Sequence, residues 1–170
     1  LSYMHSPHVD SLPKVNDANN LMIKDWAIAH GVPSDKFIDL GIVPNGQMPT
    51  YLKEMDLAVF PNRCEGGTNL VAMETMASGV PCIISANTGH LDLIRKNHCY
   101  VLSSEDPVKI PEIGTEGWGE ASVNELVELM ERAYDKRSEA QNMGMAASEF
   151  IHEWNWRNQI KQLLEAVDEF

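Results

Sequence analysis

From Phe60 to Ser85 the sequence reads as a strand end, a glycine turn at Gly66-Gly67, a short apolar helix over about Leu70 to Ala77, a glycine stop at Gly79 and a second strand after Pro81. A strand and a helix leading into a further strand is the unit from which parallel sheets are built, because parallel neighbours need a crossover rather than a hairpin. The rest of the chain has the same rhythm. Short runs rich in β-branched or aromatic residues occur at Phe37 to Val43, Leu57 to Phe60, Pro81 to Ser85 and Cys99 to Leu102, and they alternate with helix-period segments. The expected fold class is α/β, a Rossmann-like parallel sheet flanked by helices.

A first helix is expected over about Asp17 to His30, ended by Gly31 and Pro33. Ser122 and Glu125 form a capping-box pattern before a helix with Val123, Leu126, Val127, Met130 and Tyr134 on one face. A last helix, Trp156 to Phe170, places Trp156, Ile160, Leu163, Leu164 and Val167 on one stripe, expected to pack on the domain. Residues 105–119 contain Pro107, Pro111, Gly114, Gly117 and Gly119, which predicts a surface loop.

The 170 residues suit a single domain spanning 1–170. A formal charge of -12 with no basic cluster argues against nucleic acid as a partner. No apolar run is long enough to span a membrane, which suits a soluble protein. Cys64, Cys82 and Cys99 have no metal-type spacing, and an odd, scattered set fits free thiols in a reducing compartment, so cytoplasm is the expected location. The start, Leu1 to Pro7, carries no leader and reads as a cut within a longer protein.

The residues that carry chemistry surround the glycine turn. In open α/β sheets ligands bind at the carboxyl ends of the strands, and a glycine-rich turn leading into a helix offers bare N–H groups and a positive dipole end to a diphosphate. Gly66 and Gly67 allow close approach of backbone, and Thr68 and Asn69 can cap the helix or donate to phosphate oxygens. Glu74 lies on a helix whose other members, Leu70, Val71, Ala72, Met73, Met76 and Ala77, look almost wholly buried, so its carboxylate needs a partner such as a ribose diol. Glu65, just ahead of the glycines, can meet a sugar. Each feature has a plainer reading: a tight turn for the glycines, a core carboxylate satisfied by lysine or backbone for Glu74, and a solvated loop residue for Glu65.

The stretch from Glu65 through Glu74 to Gly79-Val80-Pro81 resembles the signature of group-one (family-four type) glycosyltransferases, a paired-glutamate motif followed by a helix ending in Gly-x-Pro. Leu40 to Pro44, Met48 to Leu52 and Asp56 to Pro61 resemble the family's approach to that motif. Asn87-Thr88-Gly89-His90 resembles the turn after the next strand, and Glu153 to Trp156 its closing helix.

The resemblance implies a GT-B architecture, two Rossmann-like domains facing across a cleft, with this chain most of the C-terminal, donor-binding half and truncated upstream. Carried over by position, Glu74 would hold the ribose hydroxyls, the Gly67 to Leu70 backbone the diphosphate, Val43 and Pro44 the base, and Glu65 the catalytic place beside the transferred sugar. Eight residues separate the glutamates where seven are typical. The arginine and lysine that such enzymes place near the first strand have no convincing match; Lys14 and Lys24 read as loop and helix-surface charges, and Leu1 to Met4 as the remnant of a later strand.

The implied activity is transfer of a hexose, with retention, from a UDP- or GDP-type sugar to a glycan, lipid or protein acceptor held by the missing N-terminal domain. No cofactor and no metal is implied: the six histidines, of which His90 alone is near the expected cleft, show no ligand spacing. This piece alone is expected to be inactive. The rival expectations are a non-catalytic nucleotide- or sugar-binding module and a sugar-nucleotide epimerase of the same fold.

Overall fold

The computed structural model describes residues 23–103, 105–110 and 114–168. They fall into two compact units that divide between Met48 and Pro49. Leu1 to Met4, Lys14, the start of the first expected helix and Phe170 lie outside the described residues.

In the first unit, helix α1 is described over 23–29. Lys24 is exposed on it, and it stops as the composition predicts. Gly31 takes the left-handed φ of +90° that a residue with a Cβ adopts at a cost, and the N–H of Val32 returns to the carbonyl of Ala27 at 3.0 Å. The strand expected over Phe37 to Val43 does not form. Its residues alternate half-buried and exposed with the period of an extended chain, but no described strand pairs with them. Asp39 Oδ1 accepts the N–H of Gly41 at 2.7 Å, and Gly41 turns the chain at φ +61°. A two-residue period sets an extended backbone; only a partner ladder makes it a strand.

After helix α2 (Met48–Leu52), the second unit is built on three parallel strands, β1 (Ala58–Phe60), β2 (Cys82–Ser85) and β3 (Tyr100–Leu102), in that spatial order. Val59 faces Ile83, and Ile84 faces Val101. Helix α3 (Leu70–Ala77) connects β1 to β2. Every residue of β2 is fully buried, and alternation divides it between two cores. Cys82 and Ile84 pack with Ala72, Met76, Leu93, Ala147 and Ile151; Ile83 packs with Tyr100, Leu102, Ala133 and Ala140. Burying a side chain such as Ile83 contributes about 1.5–3 kcal/mol, so β2 is the spine that fixes where its carboxyl end points.

Helix α4 (Val123–Asp135) begins where the capping pattern predicts, with Ser122 Oγ accepting the N–H of Glu125 at 3.3 Å. The Glu125 carboxylate also reaches sideways to accept from Ser103 N and Oγ, at 3.0 and 2.9 Å, and so ties α4 to the end of β3. The buried side of α4 is Leu126, Leu129 and Ala133, whereas Val123, Val127, Met130 and Tyr134 of the predicted face stay exposed. Helix α5 (Arg137–His152) lies on α3: Gly144 meets the backbone of Gly79, and Ser148 Oγ donates to the carbonyl of Ala77 at 3.0 Å.

Helix α6 (Trp156–Asp168) forms as its period predicts, but none of its described residues is buried. All five stripe residues are exposed, Trp156 at 83 %. An amphipathic pattern fixes which side is apolar, and not what covers it.

The segment 105–119, expected as a surface loop, begins and ends in strand. β4 (Glu105–Pro107) pairs antiparallel with β5 (Gly119–Ala121), and the N–H of Val108 extends the ribbon to the carbonyl of Trp118 at 3.2 Å.

Candidate functional site

The carboxyl ends of β1 and β2 release two segments that lock together: the loop 61–69, and the turn through Asn87 to His90. The N–H of Glu65 donates to Thr88 Oγ1 at 2.6 Å, and the N–H of Gly89 donates to the carbonyl of Glu65 at 3.2 Å. Gly89 is pressed against the backbone of Gly67, so closely that no side chain fits there. The carbonyl of Asn62 accepts from Ser85 Oγ and from Asn87 Nδ2, both at 2.8 Å. Asn69 (φ +29°) and Thr88 (φ +40°) both hold left-handed backbone that costs a residue with a side chain about 1–3 kcal/mol. The strain is held in place by the hydrogen bonds that join the two segments.

Backbone anchoring leaves the Glu65 carboxylate lightly engaged. Asn62 Nδ2 reaches Oε2 at 3.4 Å and the N–H of Gly67 reaches Oε1 at 3.5 Å, both at the long limit of a hydrogen bond. Glu65 is half-buried, as is Thr68, while Gly66 and Gly67 are exposed.

Asn69 caps α3 by accepting the N–H of Ala72 at 3.1 Å. Among the described residues no acceptor meets the N–H groups of Leu70 and Val71, which are the orphan donors every helix start carries. Their side chains are 73 % and 50 % exposed, and Glu74 is exposed as well. This corrects the expectation of a wholly buried helix. Only Ala72, Thr75 and Met76 turn fully inward, so the Glu74 carboxylate is not a buried group in need of a partner. It stands one turn beyond Leu70 on the same open side.

Val43 and Pro44 belong to the first unit, Val43 half-buried and Pro44 exposed, directly ahead of the 3-10 turn Asn45–Gln47. The residues that the structure brings together are therefore Glu65, Gly66, Gly67, Thr68, Asn69 and Leu70. Sequence reasoning did not find the partners that hold them, Asn62, Ser85 and Thr88, because their contacts run between segments more than twenty residues apart.

His90 is fully buried and spans the two segments. Its Nε2 lies 2.7 Å from Asn69 Nδ2, and its Nδ1 lies 3.0 Å from Ser85 Oγ and 3.2 Å from the Ser85 carbonyl. Burial pushes its pKa below the ordinary value; the Ser85 carbonyl and the charge of Glu65 oppose that shift without overcoming it. Arg63, the cation of the loop, pairs with Glu120 on β5, and the N–H of Gly119 donates to the Arg63 carbonyl at 2.9 Å, so the ribbon is attached to the site's rim.

No curated protein is significantly similar in sequence. Sucrose-phosphate synthase of Thermosynechococcus elongatus shares the fold with a TM-score of 0.66 at 21 % identity, over 89 % of this chain and 35 % of that one. The chain thus spans about a third of that enzyme's length, and its parallel sheet flanked by helices is that of a GT-B half. The family described as "Glycosyl transferases group 1" matches residues 19–112, more than half of the chain, including all of the loop 61–69, α3 and the turn to His90. By that match the chain belongs to the group 1 glycosyl transferases.

Proposed function

We propose that this chain is most of the donor-binding domain of a retaining hexosyltransferase, which moves a sugar from a UDP- or GDP-type donor to a glycan, lipid or protein acceptor. The observation that carries this reading is the open start of α3: two unengaged N–H groups, a glycine turn and an exposed carboxylate one turn on, all at the carboxyl edge of parallel strands. The N–H groups of Gly67 to Leu70 receive the diphosphate and Glu74 takes the ribose hydroxyls; the base-binding role of Val43 and Pro44, in the first unit, rests on the family resemblance alone. Glu65, its backbone clamped and its carboxylate nearly free, faces the transferred sugar as the catalytic-site glutamate.

Rate enhancement comes from fixed dipoles that stabilise charge building on the leaving diphosphate, without a metal. The loop 61–69 contributes no unpaired cation, since Arg63 is engaged by Glu120, so neutralising charge comes from elsewhere. The enzyme acts in the cytoplasm, 1–170 form one domain of it, and transfer requires the acceptor domain as well. No described helix is long and apolar enough to cross a membrane.

The test is titration of the protein with UDP, GDP, ADP and CMP, repeated on Glu74→Ala. Selective binding of one nucleoside diphosphate, lost in the variant, supports the reading; equal binding by Glu74→Ala removes the ribose role. Product analysis of the complete enzyme with and without acceptor separates transfer from epimerisation, which needs no acceptor.

A further inference from the structure

His90 is a buried ionisable group that the proposed chemistry leaves unused, and its bonds run in one direction. Ser85 Oγ is 2.8 Å from the Asn62 carbonyl, to which only the hydroxyl can donate. Ser85 Oγ therefore accepts from His90 Nδ1 at 3.0 Å, which places the ring proton on Nδ1. Nε2 is then bare and accepts from Asn69 Nδ2 at 2.7 Å. That bond decides which way the Asn69 amide points, and so turns Oδ1 toward the N–H of Ala72 at 3.1 Å.

Resting on the donor-site reading above, we infer that His90, as the neutral Nδ1–H tautomer, is a positioning residue: it orients Asn69 and thereby aims the diphosphate-binding start of α3 at the loop that carries Glu65. The relay runs Asn69 to His90 to Ser85 to Asn62, and Asn62 in turn meets the Glu65 carboxylate.

Protonated His90 would have to donate from Nε2, and the Asn69 amide would have to flip. Its nitrogen would then face the N–H of Ala72, and the cap would be lost. The groups around the ring bear on when this happens. Asn69 on the α3 side and Ser85 on β2 are not ionisable, Glu65 on the loop after β1 favours the cation, and Arg63 is occupied by Glu120. Burial acts against the cation.

The test measures UDP and GDP affinity of the complete enzyme between about pH 5 and 8, for wild type, His90→Gln and His90→Ala. A glutamine Oε1 replaces Nε2 as an acceptor that does not titrate. Wild-type affinity is expected to fall about five- to tenfold toward the acid end, the size of losing a cap, while His90→Gln stays flat at the neutral-pH value of wild type. Titration of the ligand's own phosphate is common to both proteins and drops out of the comparison. His90→Ala is expected to bind about five- to tenfold more weakly throughout.

An acid-end loss of affinity that His90→Gln shares in full would overturn the assignment, and that comparison stands even if His90→Ala does not fold. A wild-type enzyme that binds with His90→Ala equally tight would overturn the assignment while leaving the donor site intact. A wild type that binds no nucleoside diphosphate would overturn both. Long-range proton–nitrogen NMR of the imidazole should show the Nδ1–H tautomer, and an Nε2–H ring would also overturn it.

Discussion

Gly89 meets Gly67 backbone to backbone: a Cβ at residue 89 would overlap the carbonyl oxygen of Gly67 and stand 2.7 Å from its carbonyl carbon. The turn after β2 is thus a template against which the glycine loop is shaped. Gly89→Ala should force the two segments apart, costing about 1–3 kcal/mol by overpacking and weakening donor binding further than stability alone requires. Urea unfolding together with nucleotide titration checks this; a variant that binds as wild type would show that the loop adapts.

A similar contact far from the loop should behave differently. Gly144 on α5 lies against Gly79, where a Cβ would overlap the Gly79 carbonyl oxygen and stand 3.0 Å from Pro81 N. Gly144→Ala should lower stability by about 1–3 kcal/mol, with donor affinity of the folded protein little changed. Comparing the unfolding midpoint with the affinity separates scaffold from site.

Thr88→Val keeps the shape of residue 88 but removes the hydroxyl that accepts from the Glu65 N–H. Leaving that donor half-buried and unpaired should cost about 1–3 kcal/mol. In the complete enzyme, kcat should fall more than donor affinity, because Glu65 rather than α3 loses its anchor. Steady-state kinetics would show an equal loss in both if the role is only structural.

Acid sensitivity follows from His90. Its folded pKa lies below the ordinary 6.5 that it has in the unfolded chain, so between the two values the unfolded state holds the extra proton. The contribution is fully present above 6.5 and is lost as pH falls below it toward the folded value. Urea midpoints from about pH 7.5 to 5 should therefore decline more steeply for wild type than for His90→Gln.

The thiols should separate by burial. Cys82 and Cys99 are buried and their pKa values are raised, that of Cys99 to about 11, chiefly by desolvation, whereas Cys64 is half-buried in the site loop. A thiolate reagent near pH 8 should modify Cys64 in the native protein and the other two only on unfolding. Rapid labelling of all three would mean that β2 opens readily.

The parallel sheet, the turn into α3 and its glycine stop, and the cap at Ser122 were all legible in the sequence, because period, glycine placement and capping chemistry act over a few neighbouring residues. That Glu65 to Leu70 form the turn and the start of α3 was legible for the same reason. Three readings went astray where the missing information was a partner: the unpaired stretch Phe37 to Val43, the exposed stripe of α6 and the open side of α3 around Glu74. Periodicity names an apolar or extended face but carries nothing about what lies across from it.

The sequence by itself determined the α/β class, the position of the glycine turn and the start of α3, since these depend on local backbone preference. Only the tertiary structure decided how those residues are held. Glu65 is fixed by Thr88 and Gly89, and Asn69 by His90, through bonds that span more than twenty residues of chain and exist only once β1 and β2 lie side by side.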